Sequence, residues 1–434
     1  MRETSVKVWS SVGLAVALVA VACGTQTNNS GKIGGTVHVL AVWSGSEQAS
    51  FQAVLKPFEE QTGIKVLYEA TRDQDAILTT RVEAGNAPEL ASAPSPSLLA
   101  RFVREGKVVA LDQILDMNKL RSDYDKSWID LGTINGKLYE IFSWTALKGL
   151  VWYDPKVWNA KGYKVPKTWD DLIALQNKMK QDGTTPWCIG LESGSASGWP
   201  GKDWIEEIVL TQAGPTVYDA WWQGKQKWSS PEIKQAWQTW GQILGPNDSN
   251  VFGGKNNILA TNFGDAGTPM FANPPKCLMH YQASFITDFF VKAVPTLKAG
   301  EDFTFFPIPD VNSQNAGAHV VAGDTFSVFK ETPQSRALIA YLATAKAQAI
   351  WVKRGGKLSA NKEMNLSDYP DDISKSLADA LVKTKVAKFD AGDLMPGAMG
   401  TNFWKAALAF VSNQNELDSI LANLDKIQQT AYTS

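Results

Sequence analysis

The chain holds little of the chemistry that enzymes and metal proteins concentrate. Of 434 residues, 3 are His and 3 are Cys. His38, His280 and His319 lie far apart, and neither H-E-x-x-H nor a paired-Cys spacing occurs, so no metal site is expected. Neither common glycine-rich phosphate cradle is present, and no cofactor is expected. GSASG at Gly194–Gly198 has the outline of a nucleophile elbow, but Ala196 stands where the serine would be. The net charge is −2 and no Lys/Arg-rich block exists, which gives nucleic acid or an anionic bilayer nothing to hold. The apolar run Val12–Ala22 is too short to span a membrane.

What is abundant is tryptophan, 17 residues. A chain rich in indoles and poor in imidazoles suits the binding of flat, weakly apolar faces better than acid–base work. Its length points to two domains.

Arg2 and Lys7 precede the Val12–Ala22 run, so residues 1–22 read as an export signal. The run ends AVACG, which resembles the lipobox of bacterial lipoproteins with Cys23 as the lipidated residue, although Ala20 replaces the favoured leucine. An ordinary cleaved signal is the alternative. Residues 23–35, small and polar, read as a tether. Export implies an oxidising compartment, where Cys188 and Cys277 are expected to pair. That bond closes a loop of roughly 90 residues, worth about 4–5 kcal/mol in the chain-entropy model.

Thr36–Trp43 alternates as a strand does. Phe51, Val54, Leu55 and Phe58 then mark one face of a helix that Gly63 ends, and Ile64–Ala70 alternates again: a β-α-β unit. A second α/β region begins near Leu150, with Thr168 and Asp171 placed as a capping box. His319–Lys330 is strand-like, and helical patterns run over Ala337–Arg354, Phe403–Val411 and Leu417–Ile427.

Several stretches in order, VWSGSEQASFQAVLKPFEEQTGIKV, RVEAGNAPEL, GKLYEIFSW, LVWYDPKVW, VPKTWDDLI, TPWCIG…SGWP…DW and DLMPGAMGTNFW, resemble the extracellular solute-binding proteins of sugar ABC importers. The group is the maltose-binding-protein-like one, most like its α-glucoside-binding branch, and the likeness covers about Gly35 to Ile427. The resemblance implies an α/β, two-lobed periplasmic-binding-protein fold (type II) with a helical C-terminal part. It implies three hinge crossings, near Thr145–Gly149, Val320–Ala322 and Gly356–Ala360. Lobe 1 would be 36–145 with 321–357, and lobe 2 would be 146–320 with 358–434. It also implies no enzyme activity. A monomer would capture a di- or oligosaccharide, an α-glucoside, at the outer face of the cytoplasmic membrane and pass it to an ABC permease, touching the membrane through its lipid alone. The rival expectations are a secreted glycosidase, which needs two carboxylates about 5–9.5 Å apart, and the same fold with a non-sugar cargo.

A sugar presents an apolar ring face and a rim of hydroxyls, so its site calls for aromatic plates and short polar groups. On the first lobe the candidates are Trp43, Ser44, Gly45 and Glu47 after the first strand, and Asp73 and Asp75 after the second. Ser44 or Ser46 also reads as a helix cap, and the two aspartates as a solvated turn. At the hinge stand Trp144, Lys148, Asp324 and Thr325. On the second lobe stand Glu192, Ser193 and Trp199, then Ser284 and Phe285 where relatives carry Gly-x-Trp, and Met395 and Trp404. Trp187 and Trp204 are expected to pack inside the lobe.

Overall fold

The computed structural model describes residues 32–92 and 96–432. The expected export signal, Cys23 and most of the expected tether lie outside the described residues. Among the described residues twelve strands occur. In chain order they are β1 (Thr36–Ala41), β2 (Lys65–Ala70), β3 (Leu90–Ser92), β4 (Thr133–Ile134), β5 (Lys137–Leu138) and β6 (Ile141–Leu147). Then follow β7 (Leu150–Tyr153), β8 (Thr185–Cys188), β9 (Cys277–Tyr281), β10 (Thr304–Pro307), β11 (Ala318–Val328) and β12 (Val386–Phe389).

Two sheets organise the chain. The first has the order β12-β11-β3-β1-β2, with β6 also on β11; the second has the order β10-β7-β9-β8. The expected β-α-β unit is present: β1 and β2 pair in parallel across the helix Ser46–Thr62. Phe51, Val54, Leu55 and Phe58 are buried under that sheet. Gly63 ends the helix with φ 70°, a left-handed turn that glycine adopts without a Cβ penalty. The helix Trp169–Gln181 carries the capping box, with the Thr168 hydroxyl accepting from Asp171 N and the Asp171 carboxylate accepting from Thr168 N, both at 3.1 Å. Thr168→Ala should therefore lower stability by about 1 kcal/mol, readable by thermal denaturation.

The chain passes between the sheets along adjacent segments. β6 and β11 run antiparallel, with Thr145 opposite Gly323 and Leu147 opposite Val321. Thr145 exchanges two backbone hydrogen bonds with Leu358, at 2.8 and 3.1 Å. The three expected hinge segments thus lie side by side. The first two are fastened from the second sheet's side by Glu207, whose carboxylate accepts from Val320 N at 2.9 Å and packs against Gly149. Within the segment 358–434 assigned by sequence to the second lobe, β12 pairs with β11 of the first sheet. Leu358, Ile373 and Leu377 likewise share a core with Val37 and Phe51.

The cores explain the tryptophan count. Trp187, Trp204, Trp221, Trp228, Trp237 and Trp240 are sealed among the helices on the second sheet, and Trp144, Trp152 and Trp351 in the other core, where Trp43 also packs while bordering the cleft. Trp187 and Trp204 pack as expected, Trp204 stacked on Tyr281 at 3.9 Å. Cys188 closes β8 and Cys277 opens its parallel neighbour β9; they form the expected disulfide, with Cα atoms 5.6 Å apart. No helix among the described residues is long and apolar enough to cross a membrane.

Candidate ligand cleft

The cleft opens where the carboxyl ends of β1 and β2 face the loop after β8, as ligand sites do in open α/β sheets. It is a cavity of about 530 Å³, within the range of small-molecule sites. Of the residues expected from sequence, Trp43, Glu47, Asp73, Asp75, Lys148, Ser193, Trp199, Phe285, Asp324, Thr325 and Trp404 line it.

One wall is aromatic. Trp199 opens the helix Trp199–Ala213, and Trp404 lies on the helix Gly397–Ser412 packed beside it. Gly198 sits at φ 104°, and a Cβ there would overlap the Trp404 carbonyl, so the two helices meet backbone to backbone. Phe263 and Phe285 flank Trp199 at 5.0 and 6.1 Å. The Trp404 indole N–H has no partner among the described residues.

The opposite wall is polar and ionic. Arg72 reaches Glu47 at 3.2 Å, and its guanidinium lies 5.9 Å from the centre of the Phe263 ring across the cleft. Lys357 bonds Asp324 at 2.7 Å, stands 3.6 Å from Glu47, and lies over the Trp351 ring at 4.7 Å. Burial opposes its charge, but Asp324 and Glu47 hold its pKa above the usual lysine value. Glu140, just before β6, is buried and accepts from the Thr325 hydroxyl at 2.9 Å. Burial and the nearby Asp75 carboxylate raise its pKa to about 7, against the pull of its hydrogen bonds.

Behind the cleft lies a buried charge cluster. Lys148 bonds Asp203 at 2.8 Å and also Asp390, and its ammonium stands 5.8 Å from the Trp199 ring. Lys202 bonds Asp390 and lies 3.4 Å from Asp203 and 3.5 Å from Glu206. Ligand atoms of Asp203, Glu206 and Asp390 lie within 4.8 Å of one another. The Lys202 ammonium already stands against all three, so the cation of this cluster is a side chain. Burial, with the Asp390 charge next to it, drives the Glu206 pKa far up, and its carboxyl accepts from Gly392 N at 2.7 Å. Asp390 is held well below the usual range by the two lysines, despite its burial.

Six sequence candidates fall elsewhere. Trp144 lies in a strand buried on both faces, packs on Trp351 at 4.8 Å and donates to Gln348 O at 3.1 Å. Met395 is fully buried in the core beside the Trp404 helix. Ser284 is buried with its hydroxyl accepting from Leu147 N at 3.3 Å, which fixes the hinge strand. Glu192 accepts from Gly194 N at 2.6 Å and Asn262 Nδ2 at 2.7 Å; these bonds lower its pKa and fasten the loop. Ser44 and Gly45 are exposed outside the cavity, and Gly45 itself, with φ 62°, takes the cap position of the helix. Gln74, Glu140, Phe263, Lys357 and Asp393 line the cavity without having been singled out. Gln74 lies between the two flagged aspartates, Asp73 and Asp75, and that neighbourhood was the available signal; Lys357 and Phe263 carried none.

Comparisons with known proteins agree with this geometry. Residues 43–349 match the model of the bacterial extracellular solute-binding protein family. The chain is 38% identical over 376 residues to the osmoprotective compounds-binding protein GgtB of Synechocystis sp., covering 86% of this chain and 88% of the relative. It is 34% identical over 397 residues to the alpha-glucosides-binding periplasmic protein AglE of Rhizobium meliloti, covering 89% and 85%. Among solved structures, the bacterial solute receptor AcbH, which prefers β-D-galactopyranose, superposes with a TM-score of 0.80 at 18% identity, over 92% of this chain and 100% of that one.

Proposed function

Because this chain belongs to the bacterial extracellular solute-binding protein family, we propose that it is the receptor of an ABC importer for a small neutral glycoside. The ligand is an α-glucoside or a related osmoprotective sugar compound of one or two rings. The observation that supports this most directly is the pairing of walls. Trp199, Trp404, Phe263 and Phe285 offer apolar plates on one side, and Asp73, Asp75, Glu140 and Thr325 offer hydroxyl partners on the other. The relatives named for alpha-glucosides and for osmoprotective compounds support the same class. Binding calls for no nucleophile, and the ligand leaves unaltered. In this reading the protein works as a monomer, hangs from the outer face of the cytoplasmic membrane by a lipid on Cys23, and hands its ligand to the permease subunits.

The test is a thermal-shift and calorimetric screen with maltose, trehalose, sucrose and glucosylglycerol. One of them at 100-fold excess over Kd should stabilise the fold by about 2.7 kcal/mol. Trp199→Ala and Trp404→Ala should each weaken that ligand about tenfold, roughly 1.4 kcal/mol. Silence across the panel, or release of monosaccharide from a disaccharide, would overturn the proposal.

A further inference from the structure

The first-lobe end of the cleft holds a compartment that the ionic chain of Arg72, Glu47, Lys357 and Asp324 does not use. Sheet register builds it. Phe326 of β11 stands opposite both Ser92 of β3 and Ile141 of β6, so Glu140, just before Ile141, and Thr325 come to the end of β3. Gln74, the first residue of the helix Gln74–Glu83, is 3% exposed and spends its amide N–H on the Ser92 carbonyl. Its Oε1 has no partner among the described residues, yet the residue lines the cavity. Glu140 is 5% exposed and also lines the cavity, with one carboxyl oxygen taken by the Thr325 hydroxyl. A buried amide oxygen without a partner is costly unless something donates to it. The cations that line the cavity are engaged by carboxylates: Arg72 by Glu47, Lys357 by Asp324, and Lys148 by Asp203 and Asp390.

We propose that Gln74 and Glu140 form a hydroxyl-recognition subsite that receives an uncharged, hydroxyl-bearing end of the ligand, the Gln74 oxygen accepting from one hydroxyl and the Glu140 acid donating to a hydroxyl oxygen. This rests on the sugar reading above and adds an orientation to it, with the polar end on Gln74 and Glu140 and a ring face on Trp199 or Trp404. It also adds a selection, because an anionic end such as a uronate meets an acceptor oxygen and the Asp75 carboxylate and is rejected.

Protonation supports the assignment. Glu140 loses its proton near pH 7, so below that it can donate and above it cannot. A ligand that covers the acid and accepts from it favours the protonated form, so binding takes up a proton and affinity falls as pH rises past 7. The fall approaches tenfold per pH unit. The charged neighbour of Glu140 is Asp75, from the helix side; Thr325 and Ser327 come from β11. Tyr124, in the apolar layer behind it, is raised to about 12 and stays neutral. Asp393, raised to about 6 and lining the same cavity, and Asp288, raised to about 7 outside it, titrate in the same range, so the variant at position 140 has to separate them.

The experiment is calorimetry from pH 5.5 to 8.5 with whichever of maltose, trehalose, sucrose or glucosylglycerol the native protein binds, in buffers of different ionisation enthalpy. The native protein should weaken about tenfold between pH 7.5 and 8.5 and take up close to one proton at pH 8. Glu140→Gln, which keeps a donor, should flatten the profile and abolish the uptake. Glu140→Leu and Gln74→Leu should weaken binding tenfold or more at pH 6, with thermal denaturation confirming that each variant folds. Native binding that is independent of pH, or a Glu140→Gln profile that matches the native one, overturns this inference and leaves the sugar reading standing. Failure of the native protein to bind any of the four overturns both.

Discussion

Replacing Lys202 with methionine should destabilise the protein by about 3–5 kcal/mol, the usual consequence of stripping one partner from a buried ionic group. The side chain is 2% exposed and stands among Asp203, Glu206 and Asp390, which are as deeply buried. Without its ammonium, Lys148 alone faces the ionised carboxylates. Glu206→Gln provides the contrast. Burial and the Asp390 charge favour the uncharged form of Glu206, so an amide that still accepts from Gly392 N should change stability by less than about 1 kcal/mol. Urea denaturation of the two single variants and the double variant, read as a mutant cycle, measures the coupling. A Lys202→Met protein as stable as the native one would show that the acids of the cluster are mostly protonated.

The second large effect lies at the disulfide. Cys188→Ala with Cys277→Ala, or reduction of the native protein, should cost about 4–5 kcal/mol, because the bond closes a loop of 89 residues. That loop contains Trp199, Phe263 and the helix behind them, so the loss should reach the ligand as well as the fold. A calorimetric titration of the doubly substituted protein, at a temperature where it remains folded, should give a weaker Kd. Equal stability with and without the bond would mean that parallel pairing of β8 and β9 suffices to hold the loop.

Local signals were legible in the sequence wherever one short segment carried the physics. The Phe51–Phe58 stripe, the Thr168–Asp171 box and the glycine stop at Gly63 each need fewer than a dozen residues, and all three are present. The order of motifs carried the two-lobed α/β architecture. The charge cluster was not legible, because Lys148, Lys202 and Asp390 meet only after the chain has crossed between the sheets and back. Trp144 misled for a related reason. Beside a hinge it looks available, but β6 is buried along its whole length and its indole is spent on Gln348 O. Tryptophan abundance overstated the binding surface, since most of the indoles fill cores. Glu140 went unremarked because a lone acid ahead of a strand has many bland explanations, and only the register of β3, β6 and β11 sets it beside Gln74.

The contact between Gly198 and the Trp404 carbonyl has one more consequence. With main chain pressed on main chain where the head of one helix meets the middle of the other, the interval between the two indole plates is a fixed gauge. Swapping one ring for another changes the grip without changing the gauge. A relative that favours a longer or shorter guest would need a rebuilt loop before Trp199, so length preference in this lineage should track that loop's backbone rather than the identity of its aromatic residues.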